Sequence, residues 1–99
     1  MFNIRYIAEG INRAHRETAG SGVKVVLENM SCQGHTIGGD LRELRQIMEL
    51  VEDKARLGVC LDTCHAMAAG FDLSTQAGFD RLCQEFDEQV HSKVLVFKL

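Results

Sequence analysis

The hydrophobic pattern of this chain alternates between helical and strand period, and that alternation restricts its fold more than any other feature. Ile4, Ile7, Ile11 and Ala14 recur at helical spacing, so Asn3 to Glu17 reads as an amphipathic helix. Ala19-Gly20-Ser21-Gly22 interrupts it. Val23 to Leu27 is a short, β-branched run with Glu28 at its end, the pattern of a buried parallel strand. Asn29 to Gly39 is polar and glycine-containing, and reads as a loop. Asp40 and Glu43 form a capping-box-like pair ahead of a second helical stripe of Leu41, Leu44, Ile47, Met48 and Val51. Leu57 to Leu61 is a second strand-like run ending at Asp62, and Thr63 to about Leu73 reads as loop. Ser74 or Thr75 caps a third helix with the stripe Phe79, Leu82, Cys83, Phe86 and Val90, and Val94 to Phe97 is a third apolar run.

Helix and strand thus alternate three times. This order predicts right-handed crossovers and a parallel sheet, an α/β fold of about three βα units. Glu28 and Asp62 are 34 residues apart, and the third run ends at a similar distance beyond Asp62. Solenoid repeats share this length but carry a repeat signature that is missing here. The 99 residues are enough for one small domain. A formal net charge of -3 argues against a strongly basic nucleic-acid binder, although a local groove with bound cations is still compatible with DNA. No apolar run has the length of a membrane span, and Met1 to Tyr6 lacks the character of a secretory signal. The four cysteines, Cys32, Cys60, Cys64 and Cys83, read as reduced thiols of an intracellular protein.

In parallel βα architectures, sites form at the C-terminal ends of strands, which is where Glu28 and Asp62 fall. Two carboxylates brought together there repel each other, and a cation between them removes the conflict. His65 adds an imidazole three residues after Asp62, and carboxylates with imidazole suit zinc or a similar divalent ion. The plainer alternative is that a strand-end acid caps a neighbouring helix and that His65 is a solvated loop residue. Cys60 and Cys64 form a C-x3-C pair, which is neither a redox nor a zinc-ribbon spacing. Gly34, Gly38 and Gly39 lack the ending of a P-loop. His15, His35 and His91 read as solvated, and Arg42, Arg45, Lys54 and Arg56, mixed with acids, read as a solvated helix face.

Two longer stretches carry a resemblance. Val26-Leu27-Glu28-Asn29 with Gln33-Gly34, and Val51 through Asp62-Thr63-Cys64-His65-Ala66 continuing to Ala68-Ala69-Gly70-Phe71-Asp72-Leu73, resemble the endonuclease IV family, also called the AP endonuclease 2 family. The resemblance runs from the first helix to about Leu95. It implies a (β/α)8 TIM barrel that cuts duplex DNA 5′ to an abasic site with three clustered zinc ions. It implies that Glu28 bridges two zincs, that Asp62 binds one of those two and that His65 binds the third. Zinc would supply hydroxide near neutral pH and offset phosphoryl charge, so no protein base is needed. Gln33 is a weaker candidate for substrate contact.

The sequence departs from the family pattern elsewhere. The family's earlier histidine ligands have no counterpart here, and its next strand ends in a histidine followed by Leu-Asn-Asp where this chain has Val96-Phe97-Lys98-Leu99. The later Asp, His and Glu ligands also lack counterparts. A barrel needs eight strands and commonly about 250 residues. The expectation is therefore that residues 1–99 are one segment of a TIM barrel, incomplete at both ends and inactive by itself. Such a segment has exposed strand edges and is expected to self-associate, although the family is usually monomeric. The compartment expected from the resemblance is the nucleus or mitochondrion in a eukaryote and the cytoplasm in a bacterium. Two alternatives stand beside this reading. One is a non-catalytic interaction module working through its strand edges. The other is a sugar isomerase-like barrel, which shares strand-end ligands but not the Asp-Thr-Cys-His block.

Overall fold

A computed structural model describes residues 2–30, 40–90 and 94–98. The element order is α1 (Phe2–Glu17), β1 (Val25–Glu28), α2 (Leu41–Leu50), a 3-10 turn (Lys54–Arg56), β2 (Leu57–Asp62), α3 (Thr63–Ala68), α4 (Gln76–Val90) and β3 (Val94–Lys98). The strands form one sheet in the order β1-β2-β3, with both pairings parallel. Val25 lies opposite Leu57 and Glu28 opposite Cys60. Asp62 lies opposite Lys98, after a register shift between Val59 and Cys60. The expected helix–strand alternation and parallel sheet are therefore present. Among the described residues, no helix is long and apolar enough to cross a membrane.

Side chains alternate across a strand, and here the alternation separates the core from the site. Val25, Leu27, Leu57, Val59 and Leu61 turn to the face that the helices cover. Leu57 packs with Ile4, Ala8 and Ile11 of α1 and with Ile47 and Val51 at the end of α2, where Val25 and Leu27 join them. Val59 and Leu61 pack with Leu41 and Leu44 of α2, Ala66 of α3 and Leu82, Phe86 and Val90 of α4. The other face carries Val26, Glu28, Cys60 and Asp62. Val26 is 44 % exposed there. Asp62 is buried, and Glu28 is half-buried.

Helix α1 lies one position away from its expected stripe. The face turned inward is Ile4, Ala8, Ile11 and His15, while Ile7 and Ala14 are exposed. Both stripes share Ile4 and Ile11, and packing against β2 selects the one that continues through Ala8. His15 is thereby carried into the interior, 6 % exposed, and the expectation that it is solvated is corrected. Its Nε2 lies 3.1 Å from the Arg56 carbonyl oxygen, which can only accept, so Nε2 carries the proton. Arg56 is likewise no free surface cation. Its guanidinium donates to the carbonyls of Val23, His15 and Thr18 and to Thr18 Oγ1, which fastens the end of α1 to the segment entering β1. Lys54 also bonds backbone, reaching the Val51 carbonyl at 2.6 Å.

The caps follow local chemistry. Asp40 is the N-cap of α2, its carboxylate accepting from the Arg42 N–H at 2.9 Å. Thr75 Oγ1 accepts from the Gly78 N–H at the start of α4. Strand β1 begins at Val25 rather than Val23, which is 69 % exposed. On α4, Leu82, Phe86 and Val90 are buried as the stripe requires, whereas Phe79 is 43 % exposed.

Candidate metal centre

The peptide between Asp62 and Leu73 is not the continuous loop that its composition implies. Thr63–Ala68 forms α3, and Asp62 is its N-cap, with Oδ1 accepting from the His65 N–H at 3.0 Å. Six residues are too few to display helical period, so the usable signals were the strand-end aspartate as a cap and the helix-forming Ala66-Met67-Ala68. The helix ends at Gly70, whose φ of 110° lies in the left-handed region. The Gly70 N–H donates to the Met67 carbonyl and the Phe71 N–H to the Ala66 carbonyl, both at 3.1 Å, the bonding of a Schellman motif. Its usual apolar contact is supplied by Phe71 and Ala66, which share one core cluster.

This short helix turns His65 back over the strand ends. Glu28 on β1, Asp62 on β2 and His65 on α3 each offer a ligand atom, and these atoms lie within 4.8 Å of one another. His65 Nδ1 is 3.7 Å from Glu28 Oε2 and 3.4 Å from Asp62 Oδ2. The three residues singled out in the sequence are thus brought together. The helix-capping alternative for Asp62 is realised as well, because its two oxygens divide the work: Oδ1 caps α3 and Oδ2 faces the imidazole.

The closest contact of the imidazole is with backbone. His65 Nδ1 lies 2.8 Å from the Asn29 carbonyl oxygen. A carbonyl only accepts, so Nδ1 carries a hydrogen in this contact. A backbone carbonyl that orients the ring in this way is a common arrangement behind a metal-binding histidine. Two carboxylates and one imidazole in this arrangement fit a divalent cation of the zinc type.

Asn29, which follows Glu28 in the sequence motif, proves central. It is 2 % exposed. Its Nδ2 donates to the Asp62 carbonyl at 3.0 Å, and its Oδ1 accepts from the Asp62 N–H at 2.6 Å. The side-chain amide thereby continues the β1–β2 ladder past the end of β1. The available signal was an amide directly after a strand-end acid; its partner, 33 residues away, depends on strand register. Gln33, His35 and the glycines of their loop lie outside the described residues, as do Cys32 and His91. Cys60 is buried on β2 and Cys64 is exposed on α3.

A parallel sheet covered by helices on one face, with two acids and an imidazole gathered at its strand ends, defines the class as a βα protein with a candidate metal site. The comparisons with known proteins make this specific. The model of the xylose isomerase-like TIM barrel family matches residues 3–97, and the chain belongs to that family, the AP endonuclease 2 family of its motifs. It is 45 % identical over 92 residues to apurinic-apyrimidinic endonuclease 1 of Plasmodium falciparum, covering 93 % of this chain and 15 % of that protein. It is 41 % identical over 92 residues to the protein of the same name in Saccharomyces cerevisiae, covering 93 % of this chain and 24 % of the yeast protein. To the probable endonuclease 4 of Campylobacter concisus it is 45 % identical over 89 residues, covering 90 % and 31 %. The chain thus spans less than a third of the length of each of these relatives.

Proposed function

We propose that this chain is one segment of a zinc-dependent apurinic/apyrimidinic endonuclease, which hydrolyses the phosphodiester 5′ to an abasic site in duplex DNA. In this reading catalysis belongs to the complete barrel, and the isolated segment is inactive. The observation that carries it is the convergence of Glu28, Asp62 and His65 within 4.8 Å at the ends of adjacent parallel strands. The names of the relatives favour endonuclease over sugar isomerase for a site of this composition.

Zinc held here would supply an activated water near neutral pH and offset charge on the phosphoryl group. The chain's own residues do the holding. Glu28, at the end of β1, would supply a carboxylate beside that of Asp62 and the His65 ring. Asp62 is fixed by its cap bond to α3 and by Asn29, with Oδ2 turned toward the His65 imidazole. His65 is oriented by the Asn29 carbonyl, so that its ring lies beside both carboxylates. Three residues cannot close the sites of several cations, since a single zinc ion takes about four ligands. The remaining ligands are expected from other strands of the barrel. Lys98 occupies the β3 position opposite Asp62, so that strand offers no histidine there.

The test is an exchange. Residues 3–90 replace the matching stretch of the yeast relative, which leaves that protein's other strands in place. The chimera is expected to nick abasic-site duplex DNA, while the 99-residue chain alone is not. Glu28→Gln, Asp62→Asn or His65→Ala in the chimera is expected to lower kcat/KM by at least about 100-fold, since even groups behind the ligands are worth roughly 10- to 100-fold. A folded chimera with no incision, or one indifferent to all three substitutions, would refute the proposal.

A further inference from the structure

The three candidate ligands come from two strands and a helix, yet one residue touches the machinery behind all of them. Asn29 follows Glu28 directly in the chain, so its position fixes the end of β1 from which Glu28 projects. Its side-chain amide holds the Asp62 backbone from both sides, as donor to the carbonyl at 3.0 Å and as acceptor from the N–H at 2.6 Å. Its own carbonyl accepts from His65 Nδ1 at 2.8 Å. The side chain is buried, so water does not compete for these bonds, and a truncation would remove both of its bonds to the Asp62 backbone.

We infer that Asn29 is the positioning residue of the cation site: its amide locks the ends of β1 and β2 in register, and its carbonyl orients the His65 imidazole. It acts through Glu28, Asp62 and His65. The inference rests on the reading of those three as metal ligands. A backbone asparagine bond that served stability alone would have no reason to engage both the strand-end aspartate and the imidazole. Asn29 does both, because the chain leaves β1 at the point where α3 folds back.

The full 99-residue chain is titrated with Co2+, whose visible absorption reports the ligand field, in wild-type, Asn29→Ala and Glu28→Gln forms. Circular dichroism is recorded on each. Asn29→Ala is expected to keep the helical signal, weaken Co2+ binding roughly 10- to 100-fold and shift the visible band. Glu28→Gln is expected to weaken binding at least as much. If Asn29→Ala binds Co2+ like the wild type while Glu28→Gln does not, Asn29 has no positioning role and the metal reading stands. If Glu28→Gln also binds like the wild type, the metal reading itself fails, and the inference with it. Should Asn29→Ala not fold, nitrogen-edited NMR of the wild type decides. The Asn29 side-chain amide protons are expected to exchange slowly with solvent and to move when Zn2+ is added. Fast exchange or unmoved signals overturn the inference.

Discussion

At the scale of single residues, the site illustrates how one carboxylate serves two ends. Asp62 caps α3 with one oxygen and faces His65 with the other, so the structural and the chemical reading of a strand-end acid are both realised. Asp40 makes the contrasting case of an acid with a structural task alone. The Arg42 guanidinium beside it, with the Arg42 N–H, holds its carboxyl below the ordinary value of 3.8. A pKa depressed by folding means that the charged cap contributes fully above 3.8 and loses its contribution as the pH falls through the folded value. Replacing Asp40 by Ala is expected to cost about 1 kcal/mol at neutral pH, the usual worth of an N-cap. That cost should shrink in denaturation curves recorded below 3.8. Because the Asp40 side chain is 40 % exposed, the ion pair with Arg42 adds little to this and salt should screen it.

At the scale of elements, the clamp between α1 and the entry to β1 is the clearest structural device. Arg56 answers the His15 carbonyl in the last turn of α1, the Thr18 carbonyl just after the helix and the Val23 carbonyl at the entry to β1. Arg56→Ala is expected to destabilise by roughly 1–3 kcal/mol, read as a lower urea midpoint at unchanged slope. Lys at this position cannot spread donors over four acceptors as the planar guanidinium does, so it should recover only part of the loss. These elements also show what a sequence exposes and what it withholds. The runs ending at Glu28 and Asp62, the cap at Asp40 and the stripe of α2 are local patterns, and they could be read directly. The α1 stripe was misplaced because Ile4 and Ile11 belong to two candidate faces, and only β2 decides between them. His15 and Arg56 meet across 41 positions, and Asn29 and Asp62 across 33, so their bonds exist only once the strands are in register. Helix α3 was missed because six residues carry no period.

At the scale of the whole molecule, the sheet separates duties between its two faces. Helices cover the face of Leu27, Leu57, Val59 and Leu61, and the site occupies the end of the opposite face, beyond the exposed Val26. Family membership, parallel pairing and the placing of Glu28, Asp62 and His65 agree with one another, though each rests on a different kind of observation. The central claim is that this fold assembles a cation site from two carboxylates and one imidazole. X-ray absorption at the zinc K edge of the zinc-loaded chain addresses it most directly. The account predicts an oxygen and nitrogen shell at about 2.0–2.1 Å, with the imidazole signature lost in His65→Ala. A sulfur shell at about 2.3 Å, which would place the metal on a cysteine thiol instead, would contradict it, as would a spectrum that His65→Ala leaves unchanged.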